Sequence, residues 1–351
     1  MNHYCTYFDR GFLIQGLALW RSLARHDPDA TLWVLALDDF TAEILEGFGE
    51  PRLKSVRLAE LESHDPDLAA AKANRTRVEY YFTLSPCFPR WLLAAHPELP
   101  RITYLDADMA FFAPPAPIFS AMDEAGASVL VTAHRFPSWL RHYERHGRFN
   151  VGILAFRNDA PGRACLDDWR AKCLAWCHDR LEEGRYADQK YLDDWPGLLG
   201  GALLELADPG VNAAPWNWAG QRWARKGNDL SAGGRPLVLF HFARFRPIVG
   251  DRWFQSGQLA YGVMPGWLRR SIYGPYWRGL AAARDELALR RPGLDFARSP
   301  ARRDCGSLRS LALRAIFGSD WVRVGGHFIS VVPIAGRWSG RFLAAARRWA
   351  R

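Results

Sequence analysis

The chain has 351 residues, of which 49% are apolar and 13% aromatic, enough to fill one large α/β domain and too many for a disordered protein. The net charge of +9 lies at one end: residues 298–351 hold eleven Arg and two Asp with neither Lys nor Glu, so the preceding residues sum to zero. Because no nucleic-acid-binding motif accompanies this charge, the sequence argues against a nucleic-acid partner.

The cysteines and the N-terminal residues indicate the compartment. Of the six cysteines, Cys173 and Cys177 stand close to His178, but no second pair of ligands completes a zinc spacing. We therefore expect ordinary buried thiols in a reducing environment. The first residues show no basic start followed by an apolar run, and no window reaches the ~20 apolar residues that span a bilayer. A cytoplasmic protein is expected.

The first sixty residues alternate between strand and helix patterns. Residues 4–8 are predicted as a strand, and apolar spacing over 12–23 predicts a helix behind it. The apolar run 32–37 is typical of a strand buried on both faces, and Thr41 is predicted to cap the next helix. Residues 53–58 are predicted as the third strand.

The same alternation continues along the chain. Helical periodicity over 74–93 is expected to break at Pro86 and Pro89, because proline removes a backbone donor. The remaining predicted elements are, in chain order, strands 102–105, 129–132 and 151–156, helices 166–174 and 188–192, a strand 237–242 and a helix 280–289. This alternation predicts an α/β fold with a doubly wound, mostly parallel sheet flanked by helices.

Acidic and polar residues follow three of the predicted strands. Residues 6–9, 38–39 and 106–108 each stand at the end of a strand. Ligands of doubly wound sheets bind beyond the carboxyl ends of the strands, so we expect these segments to share one rim.

Asp106 and Asp108 carry the strongest chemical signal. Two carboxylates two residues apart at a strand end point to the same side, and they repel each other unless a cation lies between them. A hard divalent ion with oxygen ligands meets that need and also bridges phosphate oxygens. The alternative is a solvated loop with a capping aspartate, because a bare Asp-x-Asp is a short pattern.

Several short segments accompany this motif. In chain order they are Thr6-Tyr7-Phe8-Asp9, Arg75 or Arg77, Tyr104-Leu105-Asp106-Ala107-Asp108, Phe149-Asn150-Val151-Gly152-Ile153-Leu154, Ala187-Asp188-Gln189 and His241. In this order they resemble the retaining GT-A glycosyltransferases, most closely glycosyltransferase family 8, over the first two-thirds of the chain.

The resemblance implies a GT-A fold and a role for each of these residues. A Mn²⁺ or Mg²⁺ ion would be held by Asp106, Asp108 and His241. The sugar and reaction centre would be formed by Asp188 and Gln189. The nucleotide and the donor would be bound by Thr6, Tyr7, Asp9, Arg75, Arg77, Asp106, Asn150, Gly152, Arg244 and Arg246.

The same residues also have plainer interpretations. His241 would be a hydrogen-bonded core histidine, Gly152 a packing site at a strand end, and Asp188 a helix cap. Gln189 would be a polar helix residue, and any single arginine would lie on the solvated surface.

Two positions depart from the family pattern. Val151 stands where the family has a small polar residue, which removes one expected sugar contact. Arg244 replaces a glycine three residues after His241, and Arg246-Pro247 comes one residue early relative to a Lys-Pro pair. We therefore expect arginine to take part in binding the pyrophosphate at this loop.

Three segments are predicted along the chain. Residues 1–250 form the catalytic domain, 251–297 a helical extension packed on it, and 298–351 a basic aromatic tail. Arginine interleaved with tryptophan suits an anionic membrane surface, so we expect peripheral contact with the inner face of the membrane. The alternative is a solvated basic face.

The predicted function is metal-dependent transfer of a hexose, with retained configuration, from a UDP-sugar to a glycan or glycolipid, as in lipopolysaccharide or polysaccharide synthesis. A haloacid-dehalogenase-like phosphatase is one alternative, with Asp106 as nucleophile and Asp108 as acid/base. Against it, the motif follows several α/β units and Ala110 replaces the usual Thr or Val. The other alternative is a nucleotide-sugar-binding protein without turnover.

Overall fold

The computed structural model describes residues 1–249, 253–255, 261–262, 264–292, 321–324 and 327–330, with side chains at 1–245, 261–262 and 264–292. The strands of this part are β1 (His3–Phe8), β2 (Thr31–Ala36), β3 (Leu53–Arg57), β4 (Arg101–Leu105), β5 (Met109–Phe111), β6 (Val129–Ala133), β7 (Phe149–Arg157), β8 (Leu203–Glu205), β9 (Trp223–Lys226), β10 (Asp229–Ala232), β11 (Arg235–Pro236), β12 (Leu239–His241), β13 (Arg246–Val249), β14 (Trp253–Gln255), β15 (Trp321–Val324) and β16 (His327–Ser330).

Helices flank these strands. They are α1 (Leu13–His26), α2 (Asp39–Glu46), α3 (Leu58–His64), α4 (Pro66–Ala71), α5 (Arg77–Ala95), α6 (Ala116–Glu124), α7 (Ala160–Ala175), α8 (Trp195–Leu199) and α9 (Gly266–Arg290). A 3₁₀ helix spans Ser138–His146, and another follows Gln189 over Lys190–Asp194. The second begins two residues later than the helix predicted over 188–192, so Asp188 lies in the turn before it.

Seven strands form the main sheet, in the order β3-β2-β1-β4-β7-β6-β8. Six run parallel, and β7 runs antiparallel to its neighbours β4 and β6. The predicted doubly wound, mostly parallel sheet is therefore confirmed. Because β7 is reversed, its first residues lie at the same edge as the carboxyl ends of β1, β2 and β4.

Apolar side chains cover both faces of this sheet. In β4, Ile102 and Tyr104 join the core formed with α5 and α7, whereas Leu105 joins the core formed with α1, α2 and α6. Burial on both faces explains the uninterrupted apolar runs of the central strands.

A two-stranded sheet brings a distant segment to the rim. β5 follows the Asp-x-Asp segment and pairs antiparallel with β12, with Met109 opposite His241. The sequence gives no sign of this pairing, because the two strands are three residues long and about 130 residues apart.

Two local predictions are wrong. Asp38, and not Thr41, caps α2, because its side chain accepts a hydrogen bond from the Thr41 N–H at 2.7 Å. Pro86 and Pro89 do not break α5, which continues from Arg77 to Ala95. Both prolines are buried in this helix, and their burial offsets the backbone bonds that they remove.

The long helix α9 packs against α1 and is anchored to it by charge. Arg21 of α1 pairs with Glu50 at 2.6 Å and with Glu286 of α9 at 2.5 Å. The helix begins well before residue 280, the start predicted for it. Within the described residues, no helix combines the length and the apolar character needed to cross a bilayer. Apart from β15 and β16, the predicted basic tail lies outside the described residues.

Candidate metal and donor site

Three potential metal ligands meet at the rim of the main sheet. One ligand atom each of Asp106, Asp108 and His241 lies within 4.8 Å of the others, and among the described residues no other His, Cys, Asp and Glu side chains form such a group. The His241 Nε2 is 3.5 Å from Asp106 Oδ2 and 3.2 Å from Asp108 Oδ1. We call these three residues the metal corner.

Backbone pairing holds the metal corner in place. The Asp106 N–H donates to the Gly152 carbonyl at 3.0 Å, which ties the end of β4 to β7. The Phe242 N–H donates to the Asp108 carbonyl at 2.8 Å, and the His241 N–H donates to Ala213 at 2.8 Å. Each ligand therefore sits on backbone that is hydrogen-bonded to a different segment.

The charges in the metal corner perturb one another. Burial, together with the nearby Asp108, raises the pKa of Asp106, although His241 opposes the shift. Burial disfavours the imidazolium of His241, but the carboxylates of Asp108 and Asp106 together outweigh it and raise the pKa of this histidine. Two carboxylates and an imidazole whose Nε2 faces both of them form a donor set that suits a divalent cation such as Mn²⁺.

Gly152 is required by the packing of two neighbours. A Cβ atom at this position would lie 2.6 Å from Asn150 Oδ1 and 2.6 Å from His241 Nδ1, closer than real Cβ contacts. The absence of a side chain therefore lets the metal ligand and Asn150 approach the same point of β7. This finding favours packing as the reason for glycine here.

Asp188 and Gln189 lie on the other side of Asn150. Asp188 is buried and hydrogen-bonded to the Ser85 hydroxyl, and burial raises its pKa to about 7. The Gln189 Oε1 accepts from Asn150 Nδ2 at 3.3 Å, and its Nε2 donates to the His146 carbonyl at 3.2 Å. Gln189, and not Asp188, occupies the cap position of the following 3₁₀ helix, and the Asp188 carboxylate accepts from the backbone N–H groups of residues 188 and 189.

Hydroxyl groups connect Asp188 to the metal corner. The Tyr7 hydroxyl lies 3.0 Å from that of Ser85 and also contacts Tyr104, whose hydroxyl donates to Asp106 Oδ1 at 2.8 Å. The Tyr7 side chain thus takes part in an internal network. Its predicted contact with a nucleotide base stays a prediction.

The other residues predicted on the first strand are occupied locally. The Thr6 side chain is fully buried, so a ligand at this strand end would meet its backbone. One Asp9 oxygen accepts from the Gly11 N–H at 2.8 Å, and the other accepts from the Tyr81 hydroxyl at 3.1 Å.

The four arginines differ in placement. Arg75 donates to the carbonyls of Cys173 and Leu174 at the end of α7, at 3.2 and 3.0 Å, so part of its guanidinium is already engaged within the protein. Arg77, in the first turn of α5, is exposed. Arg244 is exposed and has its guanidinium 5.9 Å from the Tyr261 ring centroid. The side chain of Arg246 lies outside the described residues.

The backbone around the site is unusually strained. Non-glycine residues with positive φ in the described chain are Arg135 (55°), Ala187 (47°), Asn212 (52°) and Arg244 (65°). Ala187 precedes Asp188, and Arg244 occupies the position where the resembling family has glycine. Left-handed φ at non-glycine residues costs on the order of 1–3 kcal/mol, and such strain concentrates at functional sites.

Sequence reasoning missed three buried residues that line this region. Asn212 and His134 contact Asn150, with Asn212 Nδ2 2.9 Å from Asn150 Oδ1. The ring of Trp216 stands edge-on to His241 with centroids 5.1 Å apart. No motif marks these residues, because their importance depends on contacts with residues 16 to 62 positions away along the chain.

Comparison with known proteins identifies relatives of the chain. No protein-family model matches it. YfnF of Bacillus subtilis is 33% identical over 253 residues, which cover 69% of this chain and 81% of the relative. YfnD of Bacillus subtilis is 30% identical over 298 residues, covering 84% and 93%. Both relatives are described as uncharacterized proteins, so they show a family relationship but give no activity.

The solved structures to which the chain is similar include glycosyltransferases. An active-site mutant of LgtC has a TM-score of 0.51 at 14% identity, covering 80% of this chain and 95% of that chain. The galactosyltransferase LgtC with donor and acceptor sugar analogues gives 0.47 at 16% identity, covering 69% and 87%. Mouse xyloside xylosyltransferase 1 gives 0.42 at 16%, covering 61% and 87%. The first similarity shows the predicted GT-A fold, and the other two scores are too low to add an argument.

Proposed function

The chain belongs to the same family as YfnF and YfnD of Bacillus subtilis, and from its GT-A fold we propose that it is a metal-dependent glycosyltransferase. It would move a sugar from a nucleotide diphosphate donor to an acceptor hydroxyl. The observation that carries the proposal is the metal corner, in which three ligand atoms from two segments that are far apart in sequence converge within 4.8 Å.

The donor set of the metal corner fits Mn²⁺ or Mg²⁺, which would neutralise the charge that develops on the diphosphate leaving group. Asp106 and Asp108 would supply carboxylate oxygens, and His241 would bind through Nε2 as neutral imidazole. His241 Nδ1 is buried without a hydrogen-bond partner among the described residues, so its Nε2 is the nitrogen placed to act as a ligand.

Donor recognition would fall to residues around the metal corner. Arg244 and Arg77 are exposed and would bind phosphate oxygens, whereas Arg75 is held by backbone carbonyls. Asp188 would accept a hydrogen bond from a sugar hydroxyl, whereas Asn150, whose amide is already bonded within the protein, would shape the donor site through its contact with Gln189. The strand end 6–9 would contact the nucleotide.

Gln189 would stand at the anomeric carbon, and we expect retention of configuration. Its amide is held by Asn150 and by the His146 carbonyl, so it would meet the sugar in a fixed orientation. In a front-face displacement the departing diphosphate would take the acceptor proton, which removes the need for a separate base.

The finer details of the proposal rest on the resemblance. We propose a UDP-hexose as donor and a glycan or glycolipid as acceptor, in a cytoplasmic enzyme whose basic tail contacts the membrane surface. The GT-A fold gives no support to a dehalogenase-like phosphatase. A binding protein without turnover remains the alternative, distinguished by binding of donor without hydrolysis or transfer.

Titration calorimetry with a panel of UDP- and GDP-sugars, with and without Mn²⁺, tests the proposal. We expect one sugar nucleotide to bind in a Mn²⁺-dependent manner, and Asp108→Asn to weaken it by about a hundredfold. Asp229→Asn removes an exposed carboxylate from β10 and serves as the matched control, with unchanged affinity. Equal affinity in wild type and Asp108→Asn would count against the assignment.

A further inference from the structure

Asn212 is a fully buried residue at one end of a row of side-chain amides. Its Nδ2 donates to Thr132 Oγ1 at 2.8 Å and to Asn150 Oδ1 at 2.9 Å. The row continues from Asn150 to Gln189, and it ends where Gln189 donates to a backbone carbonyl. Asn212 therefore contacts Gln189 through a single intervening residue.

The amide of Asn150 can take only one orientation in this setting. Its Oδ1 accepts from the Gly152 N–H at 3.0 Å, and a backbone N–H can only donate. On the other side, its Nδ2 lies 3.4 Å from His134 Nε2. Asn212 and Gly152 thus fix the oxygen end of the amide, and His134 fixes the nitrogen end.

His134 can accept a hydrogen bond because it is neutral. Its Nδ1 lies 3.2 Å from the Arg148 carbonyl, so the ring proton belongs on Nδ1 and leaves Nε2 as an acceptor. Burial lowers the pKa of this histidine to about 4, which keeps the ring uncharged at neutral pH. We call His134, Asn150 and Asn212 the amide clamp.

The orientation set by the amide clamp passes to Gln189. Because Asn150 presents N–H to Gln189, the oxygen Oε1 must face Asn150, and the nitrogen Nε2 faces the His146 carbonyl. If the Asn150 amide turned over, its oxygen would face Gln189 and favour the opposite orientation of that side chain.

We propose that Asn212 and His134 are positioning residues, which fix through Asn150 the end of the Gln189 amide that meets the donor sugar. The inference rests on the proposed function, in which Gln189 stands at the anomeric carbon. A carbonyl oxygen beside a carbon that gains positive charge stabilises the transition state, whereas an N–H there opposes it. Neither positioning residue touches the sugar, so each acts on kcat more than on donor affinity.

The left-handed backbone of Asn212 makes two variants informative. Asn212→Gly removes the side chain and keeps the φ of 52° accessible, so backbone strain does not confuse the result. Asn212→Asp keeps the shape and replaces the donor by an oxygen, which repels Asn150 Oδ1 and loosens the hold on its amide. Asn217→Ala is the control, because Asn217 is a buried amide that bonds the backbone carbonyls of His134 and Asn212 and none of the side chains in the row.

The kinetic test uses Mn²⁺-dependent hydrolysis of whichever sugar nucleotide in the UDP and GDP panel the wild type consumes fastest. We expect kcat to fall about a hundredfold in Asn212→Asp and about tenfold in Asn212→Gly, with KM within about threefold. Asn217→Ala should lower Tm and leave kcat within about threefold. Unchanged kcat in both Asn212 variants overturns the inference.

A second measurement needs no turnover. In nitrogen-15 spectra the side-chain NH₂ of Gln189, assigned by its loss in Gln189→Glu, should exchange slowly in wild type and in Asn217→Ala. It should shift and exchange faster in both Asn212 variants. An unmoved signal overturns the inference whatever the kinetics show. If the signal moves but the wild type neither binds nor consumes any sugar nucleotide, the proposed function is refuted and the amide clamp is retained.

Discussion

The metal corner and the amide clamp lie at the same rim and are built in different ways. The metal corner rests on backbone pairing, since Asp106, Asp108 and His241 each follow or lie within a strand whose backbone bonds a neighbour. The amide clamp rests on side-chain hydrogen bonds and on the left-handed Asn212. A change of side chain in the metal corner should therefore remove chemistry and spare the fold, whereas a change in the amide clamp should affect both.

The two buried histidines show the same contrast. The pKa of His241 is raised because Asp108 and Asp106 together outweigh burial, whereas the pKa of His134 is lowered by burial and its Nε2 faces a neutral amide. One site is arranged to hold charge and the other to exclude it. That division suits a reaction in which a diphosphate departs from one side of a sugar held on the other.

Gly152→Ala should produce the largest effect, because Gly152 lies where the two regions touch. The added methyl would stand 2.6 Å from both His241 Nδ1 and Asn150 Oδ1, and neither buried side chain has room to retreat. We expect a loss of about 2–3 kcal/mol in the free energy of unfolding and a fall of about a hundredfold in Mn²⁺ affinity. Denaturant unfolding and calorimetry measure the two quantities. A variant with wild-type values in both would show that the regions are not joined at this residue.

The acid sensitivity of the fold should come in part from the amide clamp. His134 has a pKa of about 4 in the folded protein and about 6.5 when unfolded, so the unfolded chain takes up its proton first as pH falls. Its contribution is complete above pH 6.5 and is lost between pH 6.5 and 4, amounting to about 3 kcal/mol. His241 acts in the opposite sense, because its folded pKa is raised.

Comparison of wild type with His134→Gln isolates this contribution. The variant should be less stable at neutral pH and should lose less stability between pH 6.5 and 4, as measured by urea unfolding at a series of pH values. Parallel curves for the two proteins would show that His134 is protonated equally in both states.

Arg244→Gly should give the smallest change, with the stability of the fold rising and the affinity for the donor falling. Arg244 adopts a φ of 65°, so glycine should relieve strain and stabilise the fold by about 1 kcal/mol. If Arg244 binds the pyrophosphate, the same variant should weaken the donor by about tenfold. Arg244→Asn is the control for strain, since asparagine tolerates left-handed backbone. A weaker fold with undiminished donor affinity would remove Arg244 from the site.

The fold was predictable because its signals are local. Apolar runs such as 32–37 and 102–105 are buried on both faces of the sheet, and a period of apolar residues marks α1. The start of α2 was predicted three residues late, because Asp38 and Thr41 are both good capping types and only the hydrogen bond decides between them. The continuous α5 could not be predicted, since the burial that supports Pro86 and Pro89 is tertiary.

The site was only partly predictable for the same reason. Asp106, Asp108, Asn150 and His241 stand in short motifs whose order along the chain is readable. Arg75 and Arg77 fit the expected basic position in the sequence equally well. Only the structure distinguishes them, because Arg75 donates to the carbonyls at the end of α7. Asn212 stands in no motif, and its contacts with Thr132 and Asn150 span 80 and 62 residues.

Binding of Mn²⁺ itself tests the central claim most directly. Electron paramagnetic resonance follows free Mn²⁺ during titration of the protein in the presence of UDP, and the double variant Asp106→Asn, Asp108→Asn is measured beside wild type. We expect wild type to remove about one ion per chain from solution and the double variant to remove none at matched concentrations, while both unfold at a similar temperature. Equal uptake by the two proteins would contradict a metal site at Asp106, Asp108 and His241.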